Sequence, residues 1–242
     1  MWKFKKKPLK LDLYTHDKGY FINDKPTLKR DTPSWYKSLA PTVKCSDEPT
    51  KTEFDVGTAK GCPGIKNLMS NGIKFHLWEP LKLRIHPDGR VEQLPLSVES
   101  KGQPFVQHFP LQYTGLYPKN ATAFKLNTPW LGVCKEETSF IFMESHFSTN
   151  FIRENNLYIA PGYIDFKYQH SLNCHIIVAV EFEPYDIEFP YGLPLFTLYP
   201  VTERELKIEH HLISKDEYGS LTNEFPQCPA RKYYQLVKNI NS

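Results

Sequence analysis

The sequence contains no apolar run near the roughly 18 residues a helix needs to cross a bilayer, and its lysine-rich start, Met1 to Lys10, is not followed by a signal-peptide core. The expected location is therefore inside a cell, with neither secretion nor a membrane span. Cysteine is sparse. Cys45, Cys62, Cys134, Cys174 and Cys228 are odd in number, scattered and without a CxxC spacing, which predicts reduced thiols and excludes a disulfide frame or a structural zinc site. Charge of one sign is also lacking. A net charge of +3, with dense lysine only in KFKKKPLK, does not make a nucleic-acid-binding face, and the basic tip reads as a solvated end. No internal repeat or low-complexity tract is present, so a solenoid or repeat array is not expected.

Glycine is scarce too, at 12 residues against 20 prolines, 16 phenylalanines, 14 tyrosines and 4 tryptophans. That balance favours many short strands and stiff loops over long helices. A chain of 242 residues can bury a substantial core. The expected architecture is mainly β, a β-sandwich or jelly roll, as a single domain over residues 1–242. Its first 60 residues read as mostly irregular, and residues 214–242 as helical.

Taken in order, Leu9 to Tyr14 reads as a strand. Pro33 to Leu39 reads as a helical turn that buries Trp35 and Leu39 and stops at Pro41. Cys45 to Lys60 reads as a polar surface loop. A short helix is predicted near residues 62–72, with Ile65, Leu68 and Met69 as its stripe and Gly72 as its stop. Ile73 to Ile85 and Arg90 to Leu96 form a predicted hairpin around Pro87-Asp88-Gly89. Phe105 to Leu116 and Ala123 to Leu126 are further strands, and Thr128 to Val133 with Ser139 to Glu144 reads as a second hairpin. Phe147 to Asn156 reads as polar loop. The most regular stretch runs from Ala160 to Pro200, with a turn at Pro161-Gly162 and strands at Leu172 to Phe182 and Leu193 to Tyr199. Glu205 to Ile213 alternates, so His210 and His211 point to opposite faces and cannot chelate one metal together. Ser214-Lys215-Asp216-Glu217 spells a capping box, and a second helix is expected after Pro229, with Tyr233, Leu236, Val237 and Ile240 on one side.

Chemistry-bearing patterns are few. Cys62 before a helix start could be an activated thiolate, but nothing nearby supplies a base, and a buried thiol beside a proline turn is the favoured reading. His86-Pro87-Asp88 has the H-x-D spacing that supplies two ligands in non-haem iron oxygenases, with His170 or His175 as a distant third; the turn accounts for Asp88 without metal. His76 and Glu79 read as solvent-facing strand positions.

Gly162-Tyr163-Ile164-Asp165-Phe166-Lys167-Tyr168 resembles the G-x-I-D-x-x-Y motif of the trimeric dUTPase family, and Gly192 to Leu198 falls where that family has a further strand. The likeness implies a dUTPase-like β-fold and a nucleotide substrate. It also implies Asp165 as general base toward a water at a Mg-bound phosphate, with Tyr168 shaping the base pocket. The sequence departs from that family in having no P-R-S-G signature, His170 at a motif glycine, and no glycine-rich C-terminal arm. Over most of its length the chain resembles an uncharacterised family of tailed-phage proteins with bacterial relatives. The residues that carry this likeness are Thr128-Pro129-Trp130-Leu131, Pro161 to Asp165 with Tyr168, Gly192-Leu193-Pro194-Leu195 to Pro200, and Ile213 to Tyr218. That resemblance implies a phage origin and a β-rich fold.

Three functions follow in order of support. The first is a non-catalytic binding or virion-assembly protein with a protein partner or self-association and no cofactor. The second is a dUTPase-like hydrolase at Asp165, and the third an iron oxygenase at His86 and Asp88.

Overall fold

The computed structural model describes residues 6–28, 33–47, 52–96, 105–108, 120–145 and 149–223. The protein is mainly β, with a few short helices. In chain order the elements are β1 (Leu9–Thr15), α1 (Lys18–Asn23), α2 (Ser34–Ser38), β2 (Thr42–Asp47), β3 (Thr52–Gly57), α3 (Pro63–Ser70), β4 (Ile73–His76), β5 (Leu81–Ile85), β6 (Val91–Leu94) and β7 (Phe105–His108). There follow β8 (Ala121–Val133), β9 (Ser139–Glu144), α4 (Phe151–Glu154), β10 (Leu157–Ile159), β11 (Gly162–Asp165), β12 (Ser171–Ala179), β13 (Tyr185–Phe189), β14 (Pro194–Pro200), β15 (Leu206–Leu212) and α5 (Lys215–Asn223). One sheet runs β10-β12-β8-β1-β15, with β7 added on β8, and a second runs β11-β9-β14-β4. A third sheet is β13-β5-β6, and β2 and β3 form a separate ribbon.

Strand β8 shows why these residues choose this arrangement. Its even positions, Thr122 through Trp130, are buried at the period of two that a strand imposes. Phe124, Leu126 and Trp130 among them belong to one buried cluster with Leu9, Leu11 and Leu13 of β1, apolar residues of β12 and aromatic residues from the other sheets. Phe142 packs on Phe196 at 4.3 Å between ring centres, Phe196 stacks on Phe75 at 4.7 Å, and Phe124 meets Phe189 edge-on at 6.2 Å. One contiguous apolar core thus joins three sheets, each buried Leu, Ile or Phe contributing roughly 1.5–3 kcal/mol.

Pro129 would break a regular central strand, yet it sits inside β8. The ladder to β12 shifts register between Ser171 and Asn173, opposite Thr128 to Trp130, so the missing proline N–H falls in a bulge. The Thr128 hydroxyl donates to the Trp130 carbonyl at 3.1 Å and is 3.4 Å from the Trp130 amide, supplying locally what the ladder omits. A second bulge lies in β14 between Pro194 and Phe196, opposite His76 and Phe75 of β4.

Several expectations hold. The hairpin around Pro87-Asp88-Gly89 forms as β5 and β6, with Gly89 at φ +82°. The short helix near residues 62–72 is α3, and Gly72 follows it at φ +92°. The capping box closes: the Ser214 amide donates to the Glu217 carboxylate at 2.9 Å, and the Glu217 amide to the Ser214 hydroxyl at 3.2 Å. No described helix is long and apolar enough to cross a membrane.

Others are corrected. Thr128–Val133 and Ser139–Glu144 are not a hairpin, because β8 and β9 belong to different sheets and residues 134–138 carry the chain between them. The same holds for β12 and β14 in the Ala160–Pro200 stretch, whose turn lies at Phe166 to Tyr168 and not at Pro161-Gly162. Period-two alternation marks a strand but does not identify its partner. Cys45 to Lys60 is largely the β2–β3 ribbon, so the N-terminal segment is less irregular than expected. In α2 the buried side chain is Tyr36, whose hydroxyl donates to the Lys60 carbonyl at 3.0 Å, while Trp35 stays 43 % exposed. A continuous strand from Ile73 to Ile85 is interrupted over residues 77–80, ahead of Leu81. Phe147 to Asn156 includes α4, with Ile152 fully buried. The expected helix after Pro229, Cys228, and the strand beyond His108 lie outside the described residues.

The sharpest packing test is Gly132. A Cβ there would stand 2.5 Å from the ring of fully buried Phe166. Gly132→Ala is expected to destabilise the protein by about 1–3 kcal/mol. Gly57→Ala, with nothing within 4 Å, should change stability by less than about 0.5 kcal/mol. Urea midpoints of the two variants measure the contrast.

Candidate functional site

Asp165, the first candidate from sequence, ends β11 and begins the turn at Phe166 to Tyr168. Its Oδ1 accepts from the Lys167 amide at 3.0 Å, and its carbonyl accepts from the amides of Tyr168 at 3.1 Å and Gln169 at 2.9 Å. This is an aspartate organising its own turn. The turn in turn drives Phe166 into the core against Phe140, at 5.0 Å, and over Gly132. His170 Nδ1 lies 3.1 Å from the Gly132 carbonyl, and because a carbonyl only accepts, that nitrogen carries the proton. Tyr168 is half-buried beside Lys167, whose ammonium sits 5.3 Å from its ring centre and pairs with Glu137 at 2.6 Å. The G-x-I-D-x-x-Y segment therefore docks its turn on the end of β8.

His86 and Asp88 lie at the β5–β6 turn. His86 Nε2 is 2.8 Å from Glu92, and Asp88 accepts from the Arg90 amide at 3.0 Å, the turn-capping geometry expected of an aspartate before glycine. His170 bonds the end of β8, and His175 tilts against His108 at 5.1 Å; burial lowers the His175 pKa to about 4. Among the described residues the structure does not gather His86 and Asp88 with either histidine into a metal-binding group. Cys62 occupies the N-cap of α3 and is exposed. The four described cysteines are free, and burial raises the thiol pKa of Cys134 and Cys174.

A cluster that sequence reading missed lies on the outer side of β1 and β15. These strands pair in parallel, with Asp12 beside Glu209 and Tyr14 beside His211. His211 Nε2 lies 2.7 Å from Asp12, and its ring stacks on Tyr14 at 4.6 Å. Asp12, Glu209 and His211 could between them hold a cation. Lys10, however, stands 2.8 Å from Glu209 and 3.2 Å from Asp12, and Lys207 is 3.0 Å from Glu209, so ammonium groups already neutralise the carboxylates. The alternation of Glu205 to Ile213 foretold that His210 and His211 diverge; the parallel pairing with β1 has no local signal.

A concave site does exist elsewhere. A cleft of about 320 Å³ opens between the end of α1, the end of β4, the bulge of β8 and the turn before β14. Asp17 caps α1 by accepting from the Gly19 and Tyr20 amides at 2.6 and 3.1 Å, and Tyr20 donates to Glu79, anchoring the helix over β4 and β5. Asp24 ends the helix, its amide bonded to the Tyr20 carbonyl at 2.9 Å. The following segment is held at Pro26, whose carbonyl accepts from His210 at 2.8 Å, and at Thr27, whose carbonyl accepts from the Lys74 amide at 3.2 Å. Phe75, Trp78 and Trp130 form a buried apolar floor, and Tyr191, 56 % exposed, forms the rim. Its hydroxyl donates to Asp24 Oδ1 at 2.5 Å, which raises the tyrosine pKa. Both bulges adjoin this cleft: one supplies Trp130, the other sits opposite His76. Bulges commonly re-aim side chains beside functional sites. Neither His76 nor Trp130 was legible in sequence as a site residue, although Thr128-Pro129-Trp130 inside a strand pattern was a bulge signal.

A larger groove of about 660 Å³ lies along α3, with Asn71, Tyr199 and Arg204 in its wall. Arg204 is committed there to Glu136, at 2.5 and 3.0 Å, and to the carbonyls of Lys7 and Pro8.

The ammonium groups around Glu209 give a direct electrostatic test. Bonds from Lys10 and Lys207 hold its carboxyl down at about 2, below the ordinary 4.5. A depressed carboxylate stabilises the fold above its unfolded value and loses that contribution as pH falls through about 2. Carbonyl-carbon NMR should show Glu209 titrating near pH 2 in the native protein and closer to 4.5 in Lys10→Ala. An unchanged midpoint in that variant would refute the assignment. Compared with known proteins, the chain matches no family model and no curated protein.

Proposed function

We propose that this chain is a non-catalytic β-sandwich protein that works by binding, in virion assembly or in the host cytoplasm, as its likeness to tailed-phage proteins suggests. The observation that carries the reading is the cleft at the end of α1, an apolar aromatic floor with a polar rim, the usual build of a small-ligand site. The carboxylates that a hydrolase would need are engaged in structure: Asp165 in its turn, Asp88 in the β5–β6 turn, Asp12 and Glu209 with lysines.

Self-association belongs to this proposal as well. In the β2–β3 ribbon, Val43 faces Val56 and Cys45 faces Phe54 across the strands, and Val43, Phe54 and Val56 are exposed by 44, 49 and 38 %. A two-stranded ribbon is marginal alone, and a second copy could cover this self-complementary face.

Three measurements decide. The protein should release no pyrophosphate from dUTP with Mg²⁺, and Asp165→Ala should remain folded with that outcome unchanged. Turnover that disappears in Asp165→Ala would establish the hydrolase instead, and stoichiometric iron lost in His86→Ala would restore the oxygenase reading. Light scattering should show a mass above the monomer that Phe54→Asp returns to monomer. A monomeric native protein would remove self-association from the proposal.

A further inference from the structure

We propose that the cleft between the end of α1 and the bulged segments of β8 and β14 binds a single neutral sugar ring, with the Tyr191 ring as stacking surface and Asp24 as acceptor for its hydroxyls. This rests on the binding reading above and specifies the ligand class for its site.

Size comes first. About 320 Å³ lies at the lower end of the roughly 300–1,000 Å³ of small-molecule sites, room for one ring but not for a nucleoside triphosphate. Charge comes second. Among the described lining residues Asp24 is the one carboxylate and Lys25 the one permanent cation. The Lys25 ammonium rests 3.9 Å above the ring centre of Phe21. With no arginine among those residues, nothing offers the forked donor set that grips a phosphate, and opposed single charges favour a ligand without net charge.

The distribution of aromatic faces then separates neutral ligands. Phe75, Trp78 and Trp130 are exposed by only 2, 7 and 2 %, so their rings are packed into the core and offer an apolar floor. Tyr191, by contrast, is more than half exposed where it lines the cleft. One exposed aromatic side chain beside a floor suits the C–H side of a saccharide, whereas a base slot normally presents ring faces on both sides of a planar ring. The polar rim carries the Asp24 carboxylate, which only accepts, beside Asn23 and Thr27, which both accept and donate. Ring hydroxyls are donors that such groups can take. Tyr191 already donates to one Asp24 oxygen, which fixes the carboxylate and leaves it lone pairs for a second donor.

The turn that carries Tyr191 is rigidly held. Gly192 adopts φ +76°, its amide donates to the Leu77 carbonyl at 2.8 Å, and the Leu77 amide donates to the Leu193 carbonyl at 2.8 Å. The stacking ring is thereby tied to the same strand connection that places Trp78, so rim and floor hold their spacing without a ligand.

The test uses the whole protein, with tryptophan fluorescence and saturation-transfer NMR as readouts, since Trp78 and Trp130 line the cleft. The probes are the methyl α-glycosides of glucose, galactose and mannose, with adenosine and uridine as separate arms. At least one glycoside is expected to give a saturable fluorescence change and ring-proton transfer. Asp24→Ala and Tyr191→Ala should each weaken that binding by about tenfold or more. Tyr191→Phe, which keeps the ring and guards against a folding defect, should weaken it less. Tyr163→Ala, an exposed tyrosine on β11, is the control and should leave it unchanged. Nucleoside binding without glycoside binding would overturn the sugar assignment and leave the binding reading standing. Glycoside binding indifferent to Asp24→Ala and Tyr191→Ala would overturn the site, and silence from every probe would overturn the inference. The binding reading itself falls separately, on dUTP turnover that depends on Asp165.

Discussion

Strand β8 has to satisfy hydrogen bonds along both edges while burying every second side chain, and most of the molecule follows from how it does so. One edge is taken by β12. The other is shared in series by β7, opposite residues 123–126, and β1, opposite residues 131–133. Through β1 it also holds β15, the partner that brings the two described ends of the chain together. Its last residues meet a second demand, because the turn after Asp165 needs a surface on which to lay Phe166. Gly132 supplies that surface by having no side chain. The motif that resembles a dUTPase signature is thus bound to the stability of the central strand.

The irregularities of the same strands set the candidate site. A proline in a central strand is tolerable only where the ladder skips a bond, and both Pro129 and Pro194 mark such places. Each bulge borders the cleft, and the cleft floor is continuous with the core that joins the sheets. Ligand-sized space therefore arises where regular pairing gives way, at the margin of an otherwise close-packed interior. Among the described residues several charged groups pair on the surface, as where Lys10 and Lys207 surround Glu209.

Much of the local structure was legible. Pro87-Asp88-Gly89 specified its turn because glycine alone takes positive φ cheaply, and Ser214 with Glu217 specified a helix start through reciprocal bonds three residues apart. Opposite faces for His210 and His211 followed from the period of two, and the structure sends one to Pro26 and the other to Asp12. Pairing was not legible. Thr128–Val133 and Ser139–Glu144 carry every mark of a hairpin, yet each joins a different sheet. The β2–β3 ribbon was hidden for the converse reason: with so little of it buried, its pattern is as polar as a loop.

Sequence alone determined the β class, the Pro87–Gly89 turn, the α3 and α5 starts and the free state of the four described cysteines, because each depends on backbone preference or spacing within a few residues. Tertiary structure alone decided that Asp165 organises a docking turn, that Asp12 meets His211 from 199 positions away, and that Asp24 and Tyr191 share a rim. Those contacts cross sheets and chain ends. They are fixed by which apolar faces bury together, a choice that no local pattern encodes.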